Sequence, residues 1–117
     1  LAVVVSKENN CKYCMNHHGE ALSYLWKDKE KVKEFIHRPE TVTFSEKQKT
    51  MVNYASRLTK SPSLVTEEDI IQMRSAGFSD KEILDINLII CYFNFVNRIA
   101  LGLVVSFSAE EMKGYNY

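Results

Sequence analysis

Residues 80–105 restrict the fold of this chain more than any other segment, because apolar side chains occur on every side of the expected helix. These side chains are Ile83, Leu84, Ile86, Leu88, Ile89, Ile90, Phe93, Phe95, Val96, Ile99, Leu101 and Leu103. A helix that is apolar all round lies in the centre of a protein or spans a membrane. Asp85, Asn97 and Arg98 interrupt the run, and such groups are costly at bilayer depth, so we expect no membrane association.

A chain of 117 residues has little surface left with which to bury such a helix by itself. We therefore predict an obligate homo-oligomer, in which a partner subunit packs against part of the helix. Asn94, Asn97 and Arg98 are expected to bond to backbone or to the partner chain, because buried polar groups need hydrogen-bond partners. Cys91 lies within the same apolar run and is interpreted as an inert core thiol.

Helix start signals elsewhere in the chain predict an all-α fold in a single domain over residues 1–117. Capping boxes pair Ser45 with Gln48 and Ser79 with Glu82, and Thr66 precedes three acidic residues. The helix after Thr66 is expected to stop at Gly77, and the one after Ser79 to continue to residue 105. The apolar run 1–5 resembles the end of a helix, so we expect a domain that lacks its N-terminal helices.

Charge and cysteine content exclude several classes of protein. Lys+Arg and Asp+Glu are both 15, so no excess of basic residues is available to neutralise nucleic-acid phosphates. The three cysteines are an odd number, whereas secreted disulfide scaffolds carry more cysteines in even numbers. With no secretory signal in view, we expect a cytoplasmic protein that does not bind nucleic acid.

The chemistry of the chain is concentrated in Cys11-Lys12-Tyr13-Cys14, which His17 and His18 follow. Asn10 is expected to cap a helix that runs from about residue 11 into the region of Trp26. At about 100° per residue, one stripe of that helix carries Cys11, Cys14, His18, Leu22 and Leu25, and we predict that it faces inward.

A helix N-terminus and a nearby imidazole both lower the pKa of a thiol and favour the reactive thiolate. Such a thiolate can attack a peroxide oxygen, and a second thiol one turn away can condense with the resulting sulfenic acid. The motif therefore contains an attacking thiol, a resolving thiol and an activating base.

The cysteine pair is also compatible with other kinds of site. A zinc site would need two more ligands. His37 and Cys91 lie at poor spacing, although His17 or His18 could join such a site. Covalent haem attachment needs histidine directly after the second cysteine, where Met15 stands. A thioredoxin-like site would need a βαβ pattern that the chain lacks. A purely structural pair of buried cysteines stays open.

The motif and its flanks resemble the AhpD-like alkylhydroperoxidases of the carboxymuconolactone decarboxylase superfamily, in their uncharacterised peroxidase-related branch. The resemblance rests on Ser6-x-x-Asn9-Asn10-Cys11-Lys12-Tyr13-Cys14-x-x-x-His18-Gly19, on Ala76-Gly77-Phe78-Ser79-Asp80-x-Glu82-Ile83-Leu84-Asp85-Ile86 and on Tyr92-Phe93-Asn94-Phe95-Val96-Asn97-Arg98. It implies an all-α fold, homo-oligomers, and peroxide reduction without metal, haem or other cofactor.

By the same resemblance, Cys14 is the peroxidatic cysteine, Cys11 resolves it, and His18 belongs to a proton relay. The family relay also uses a glutamate about a dozen residues before the first cysteine, a position that falls just before Leu1. Tyr13 stands where the family often has a histidine, and His17 and Tyr13 are candidate supporting residues.

Three functions follow as hypotheses. The first is a peroxidase that reduces hydrogen peroxide or organic hydroperoxides and is recharged by a dithiol reductant of lipoyl or thioredoxin type. The second is a decarboxylase-type enzyme of the wider superfamily, against which the cysteine pair argues. The third is a non-enzymatic redox sensor or interaction protein, whose disulfide changes its assembly.

Overall fold

The computed structural model describes residues 1–106, which form six α-helices and two short 3₁₀ turns. The helices are α1 (Ala2–Glu8), α2 (Lys12–Trp26), α3 (Lys29–His37), α4 (Glu46–Lys60), α5 (Glu67–Ser75) and α6 (Asp80–Gly102), and the turns are Pro39–Thr41 and Pro62–Leu64. No strand occurs within residues 1–106. The predicted all-α fold is confirmed.

The ends of the later helices follow the predicted signals. At the start of α4 the Ser45 hydroxyl accepts a hydrogen bond from the Gln48 N–H at 3.2 Å, and the Gln48 side chain accepts one from the Ser45 N–H at 3.0 Å. The same reciprocal box opens α5 and α6. Gly77 follows α5 with a φ of 91°, a conformation that glycine adopts without strain. Helix α6 ends at Gly102, three residues before the predicted end at 105.

The short helix α1 lies at the centre of the fold and packs against α2, α4 and α6. Val3, Val4 and Val5 of this helix are buried in the main apolar core. The apolar run at the start of the chain is therefore helical and packs in the core. Its burial explains why so short a helix is stable, since packing contributes more than propensity in helices of this length.

Helix α6 is buried along one face only. Ile83, Ile86, Ile90, Asn97 and Ala100 are buried. The exposed large apolar residues of the helix are Leu84, Leu88, Ile89, Tyr92, Phe95, Ile99 and Leu101. The single chain thus leaves open the face that we expected a partner to cover.

Two further findings concern α6. Cys91 is exposed, so its interpretation as a core thiol is wrong. Among residues 1–106, α6 is long and apolar enough to cross a membrane by length and composition. Core helices of soluble proteins meet the same criterion, and the buried amide of Asn97 shows that this face of α6 packs against protein.

Candidate active site

The turn between α1 and α2 places the cysteine pair at the start of α2. Asn10 has a φ of 54°, in the left-handed region that asparagine tolerates better than most residues. The N-cap of α2 is Cys11, which corrects the predicted cap at Asn10. The sulfur of Cys11 accepts the backbone N–H of Cys14 at 3.4 Å, in the way that a serine hydroxyl caps a helix.

Cys11 and Cys14 form a disulfide, with their Cα atoms 5.3 Å apart. Both are almost completely buried, with exposed fractions of 1% and 2%. Tyr13 and Ala100 of α6 pack against the pair. A cavity of about 220 Å³ reaches Cys11 between the start of α2 and the end of α6, and Leu101 forms part of its wall. The cavity therefore reaches the Cys11 side of the pair, and Cys14 is not among its lining residues.

The two histidines occupy different surroundings. His17 is buried, and its ring centroid lies 4.3 Å from that of Tyr13. His18 is half-buried and meets Phe93 of α6 edge to face, with ring centroids 4.8 Å apart. We had predicted an inward position for His18 and none for His17, so the deeper burial of His17 is a correction.

The predicted inward stripe of α2 is correct except at Leu25. Leu22 packs against the main core, but Leu25 has an exposed fraction of 73%. Helix α6 covers the stripe through Ala100 and Phe93 near Cys11, Cys14 and His18. Leu25 lies two turns beyond His18, outside this cover, so the prediction for Leu25 is wrong.

Burial lowers the pKa of His18, and the nearby His17 ring lowers it further. Both effects disfavour the charged imidazolium. His18 is therefore neutral at neutral pH and keeps a nitrogen lone pair that can accept a proton. A base that takes up a thiol proton needs this protonation state.

A polar network joins α6 to the turn that carries the cysteines. The Asn9 amide donates to the side-chain oxygens of Asn94 at 3.0 Å and of Asn97 at 3.3 Å. The Asn97 amide donates to the Ser6 hydroxyl at 3.3 Å. Arg98 donates to the backbone and side-chain oxygens of Asn94 at 3.1 and 2.8 Å.

These contacts account for the polar residues of the apolar helix within a single chain. The sequence predicts bonds to backbone or to a partner chain. The bonds to backbone are present, since Asn94 donates to the Ile90 carbonyl at 3.0 Å and Arg98 to the Asn94 carbonyl. Other bonds go to side chains of the same chain, in α1, in the turn after it and in α4. Sequence reasoning quoted Ser6 and Asn9 in the motif but missed that they meet Asn97. The available signal was the presence of amides on a helix that is otherwise apolar, because a buried amide requires a partner.

No group of three or more histidine, cysteine or acidic side chains in residues 1–106 is arranged to hold a metal ion. His37 is exposed in the last turn of α3, and Cys91 is exposed on α6. Neither of these candidate ligands joins the cysteine pair.

Comparison with known proteins relates the chain to solved structures. It superposes on an uncharacterised peroxidase-related protein from Silicibacter sp. TM1040 with a TM-score of 0.87 and 32% identity, over 93% of this chain and 57% of that protein. It also matches an alkylhydroperoxidase AhpD core, an uncharacterised peroxidase-related protein from Ralstonia eutropha JMP134, with a TM-score of 0.84 and 26% identity, over 95% of this chain and 58% of that protein.

No protein-family profile matches the chain. No curated protein resembles it significantly. The structural matches cover nearly all of the chain, and the chain spans less than three fifths of each matched protein. The chain has the AhpD-like fold, which confirms the resemblance drawn from its motifs.

Proposed function

We propose that this AhpD-like chain is a thiol-dependent peroxidase that reduces hydrogen peroxide or organic hydroperoxides through Cys11 and Cys14. The observation that carries the proposal is the buried Cys11–Cys14 disulfide at the N-terminus of α2, one turn before a neutral His18. The names of the solved structures that the fold matches add support for peroxide chemistry.

In the first step the thiolate of Cys14 attacks the terminal oxygen of the hydroperoxide. The O–O bond breaks, Cys14 becomes a sulfenic acid, and the alkoxide leaves. His18 accepts the proton of the Cys14 thiol beforehand and returns it to the alkoxide, so that an alcohol is released. The four backbone N–H groups without helical partners at the start of α2 favour the thiolate.

In the second step the thiol of Cys11 attacks the sulfur of the sulfenic acid. The S–OH bond breaks, the disulfide forms, and water leaves with the proton of Cys11. A dithiol reductant of lipoyl or thioredoxin type then reduces this disulfide by thiol–disulfide exchange. The reductant is oxidised to its own disulfide, and both protein thiols are restored. The ring pair of Tyr13 and His17 supports the site by packing beside it.

We place the working enzyme in the cytoplasm as a homo-oligomer. The exposed apolar face of α6 supports association, because contiguous apolar surface of this kind marks interfaces. The decarboxylase-type alternative offers no role for a disulfide-bonded cysteine pair.

The test treats the reduced protein with one equivalent of hydrogen peroxide or of cumene hydroperoxide. Mass spectrometry with a sulfenate-trapping reagent follows Cys14, and peptide mapping follows the disulfide. Wild-type protein and the matched control Cys91→Ser should form the Cys11–Cys14 disulfide, with release of water from hydrogen peroxide or of the corresponding alcohol from cumene hydroperoxide. Cys11→Ser should stop at the Cys14 sulfenic acid, and Cys14→Ser should not consume peroxide.

Failure of Cys14 to form a sulfenic acid would refute the peroxidase. If the disulfide formed without catalytic turnover and the oligomeric state changed with it, the redox sensor would be the correct function instead.

A further inference from the structure

We propose that Asn97 and Asn9 are positioning residues that set the rate at which Cys11 captures oxidised Cys14. The proposal rests on the proposed function for the roles of the two cysteines. The two amides are remote in sequence from each other. They control the second step of the cycle, in which the disulfide forms, and not the first, in which Cys14 reacts with peroxide.

Asn97 connects α6 to α1 at a fully buried position. Its side chain has no exposed surface. Its amide donates to the Ser6 hydroxyl, and its oxygen accepts from the Asn9 amide. The two contacts span 91 and 88 residues of sequence. Asn97 therefore holds both sides of the last turn of α1 against α6.

The turn held in this way carries Cys11. The Ser6 carbonyl, next to the hydroxyl that Asn97 binds, accepts the N–H of Cys11 at 2.9 Å. Asn9 precedes the left-handed Asn10, which leads directly into Cys11. Ala100, one turn after Asn97 on the same helix, packs against the cysteine pair. The hydrogen bond that connects the network to the motif thus reaches it at Cys11, whereas Ala100 packs against both cysteines.

Cys14 depends less on this support. It lies inside α2, where the helical backbone fixes its position, whereas Cys11 is the N-cap residue and takes its N–H partner from α1. The distance between the two sulfurs therefore depends more on the conformation of the turn before α2 than on α2 itself. Capture of the sulfenic acid is an intramolecular step, and its rate follows how well the two groups are held in place.

Two variants test the pair, both in a Cys91→Ser background. Asn97→Ala removes the contacts to Ser6 and Asn9 from a fully buried site. Asn9→Ala removes the donor to both Asn94 and Asn97 at a half-buried site, where the fold is less at risk. Tyr54→Phe is the matched control. It removes the phenolic hydroxyl that accepts a hydrogen bond from the Asn87 amide at 2.8 Å. That bond joins α6 to α4 and does not reach the turn before α2.

The first measurement is a single turnover with one equivalent of hydrogen peroxide, with separate rates for thiol loss and for disulfide formation. Both asparagine variants should lose the Cys14 thiol within about twofold of the wild-type rate. The lifetime of the sulfenic acid should lengthen about five- to tenfold, as expected for a loosened intramolecular step. Sulfinic acid should accumulate with excess peroxide. Tyr54→Phe should match the wild type in each respect.

The double variant Asn9→Ala, Asn97→Ala shows whether the two amides act as one unit. If they do, its capture rate should equal that of the slower single variant, since residues of one network are not additive. If the slowing in the double variant equalled the product of the two single effects, the two amides would act independently, which would contradict their action as one unit. A wild-type capture rate in Asn97→Ala, or equal slowing in Tyr54→Phe, would overturn the proposal.

The second measurement needs no peroxide. At equilibrium with dithiothreitol, loss of the support should shift the thiol–disulfide constant about tenfold toward the dithiol in Asn97→Ala, which raises the reduction potential by about 30 mV. If wild-type Cys14 forms no sulfenic acid, the proposed function fails. The equilibrium with dithiothreitol still decides whether Asn97 positions Cys11, and an unchanged constant would contradict it.

Discussion

Cys11 and Cys14 are three residues apart and have different backbone settings. Cys11 is the N-cap, and its sulfur accepts the N–H of Cys14. Cys14 lies within the first turn of α2, one turn before His18. A thiolate at either position is favoured by the helix start, but only Cys14 also has an imidazole one turn later on its own face. This asymmetry agrees with an attacking Cys14 and a resolving Cys11.

His18→Gln should reduce the rate of peroxide consumption about 100-fold at pH 7, within the usual range for loss of a general base. The pKa of the Cys14 thiol should rise, because no group remains to take its proton. Stopped-flow kinetics and thiolate absorbance across pH would measure both quantities. His37→Gln, at an exposed position, is the control. An unchanged rate and an unchanged thiol pKa would remove His18 from the relay.

The lowered pKa of His18 also predicts how stability varies with pH. Because the folded-state pKa lies below the ordinary value of 6.5, the unfolded chain binds a proton that the folded chain does not. This contribution to stability is fully present above about pH 6.5 and is lost as the pH falls through the folded pKa. The pKa of Glu8 is also lowered: its burial opposes the shift, and hydrogen bonds from Lys60 and Ser56 outweigh it. The stability that ionised Glu8 contributes is lost at a lower pH than the contribution of His18, because carboxyl groups titrate below histidine.

Urea titrations at pH 8, 6.5 and 5.5 should therefore show that the free energy of unfolding of the wild type decreases toward acid. His18→Gln should show a smaller decrease over this interval, and His37→Gln should keep the wild-type decrease. Equal slopes in His18→Gln and the wild type would contradict the lowered pKa.

Among the helices, α2 is unusual in being capped by a catalytic candidate. A serine hydroxyl is a better cap than a thiol and can take the same N–H of Cys14, whereas alanine offers no acceptor. The start of α2 therefore couples the stability of the helix to the residue that the proposed cycle oxidises.

Reduced Cys11→Ser protein should be at least as stable as reduced wild type, and Cys11→Ala should be less stable than Cys11→Ser by about 1 kcal/mol. Urea unfolding under reducing conditions measures the difference. Ser79→Ala, which removes the hydroxyl cap of α6, should show a loss of similar size. Cys11→Ala as stable as Cys11→Ser would mean that the sulfur does not cap α2.

In a monomer, an apolar surface along α6 is exposed to water. Tyr92 and Phe95 have exposed fractions of 59% and 61%, in the middle of the exposed face. Surfaces of this kind on one long helix are typical of subunit interfaces. The oligomer predicted from the apolar pattern stays a prediction, and this face is where we expect the contact.

Phe95→Glu should shift the protein toward a monomer, because a carboxylate buried against apolar side chains lacks a partner. Sedimentation velocity at micromolar concentration measures the shift. Leu64→Glu, an equally exposed apolar position with a fraction of 59% outside α6, should leave the sedimentation coefficient unchanged. A wild-type protein that sediments as a monomer would refute the oligomer itself.

Signals within a few residues of each other were sufficient to predict most helices and the cysteine motif. The capping boxes at Ser45 and Ser79 act between residues three apart, so their outcome depends little on the rest of the chain. The 3.6-residue period likewise placed Cys11 and Cys14 on one buried side of α2. The all-α class and the place of the reactive pair follow from such local effects.

Contacts between distant segments determined the features that the sequence did not predict. Burial of His17, exposure of Leu25 and exposure of Cys91 depend on how the helices pack against one another. The shift of the cap from Asn10 to Cys11 depends on the bond between Cys11 and Ser6 in α1. The meeting of Asn97 with Asn9 joins residues 88 positions apart. An amide on an apolar helix indicates that Asn97 needs a partner, but no local signal identifies Asn9 as that partner. Periodicity identifies the face of a helix that is apolar, but only packing determines which part of that face is covered.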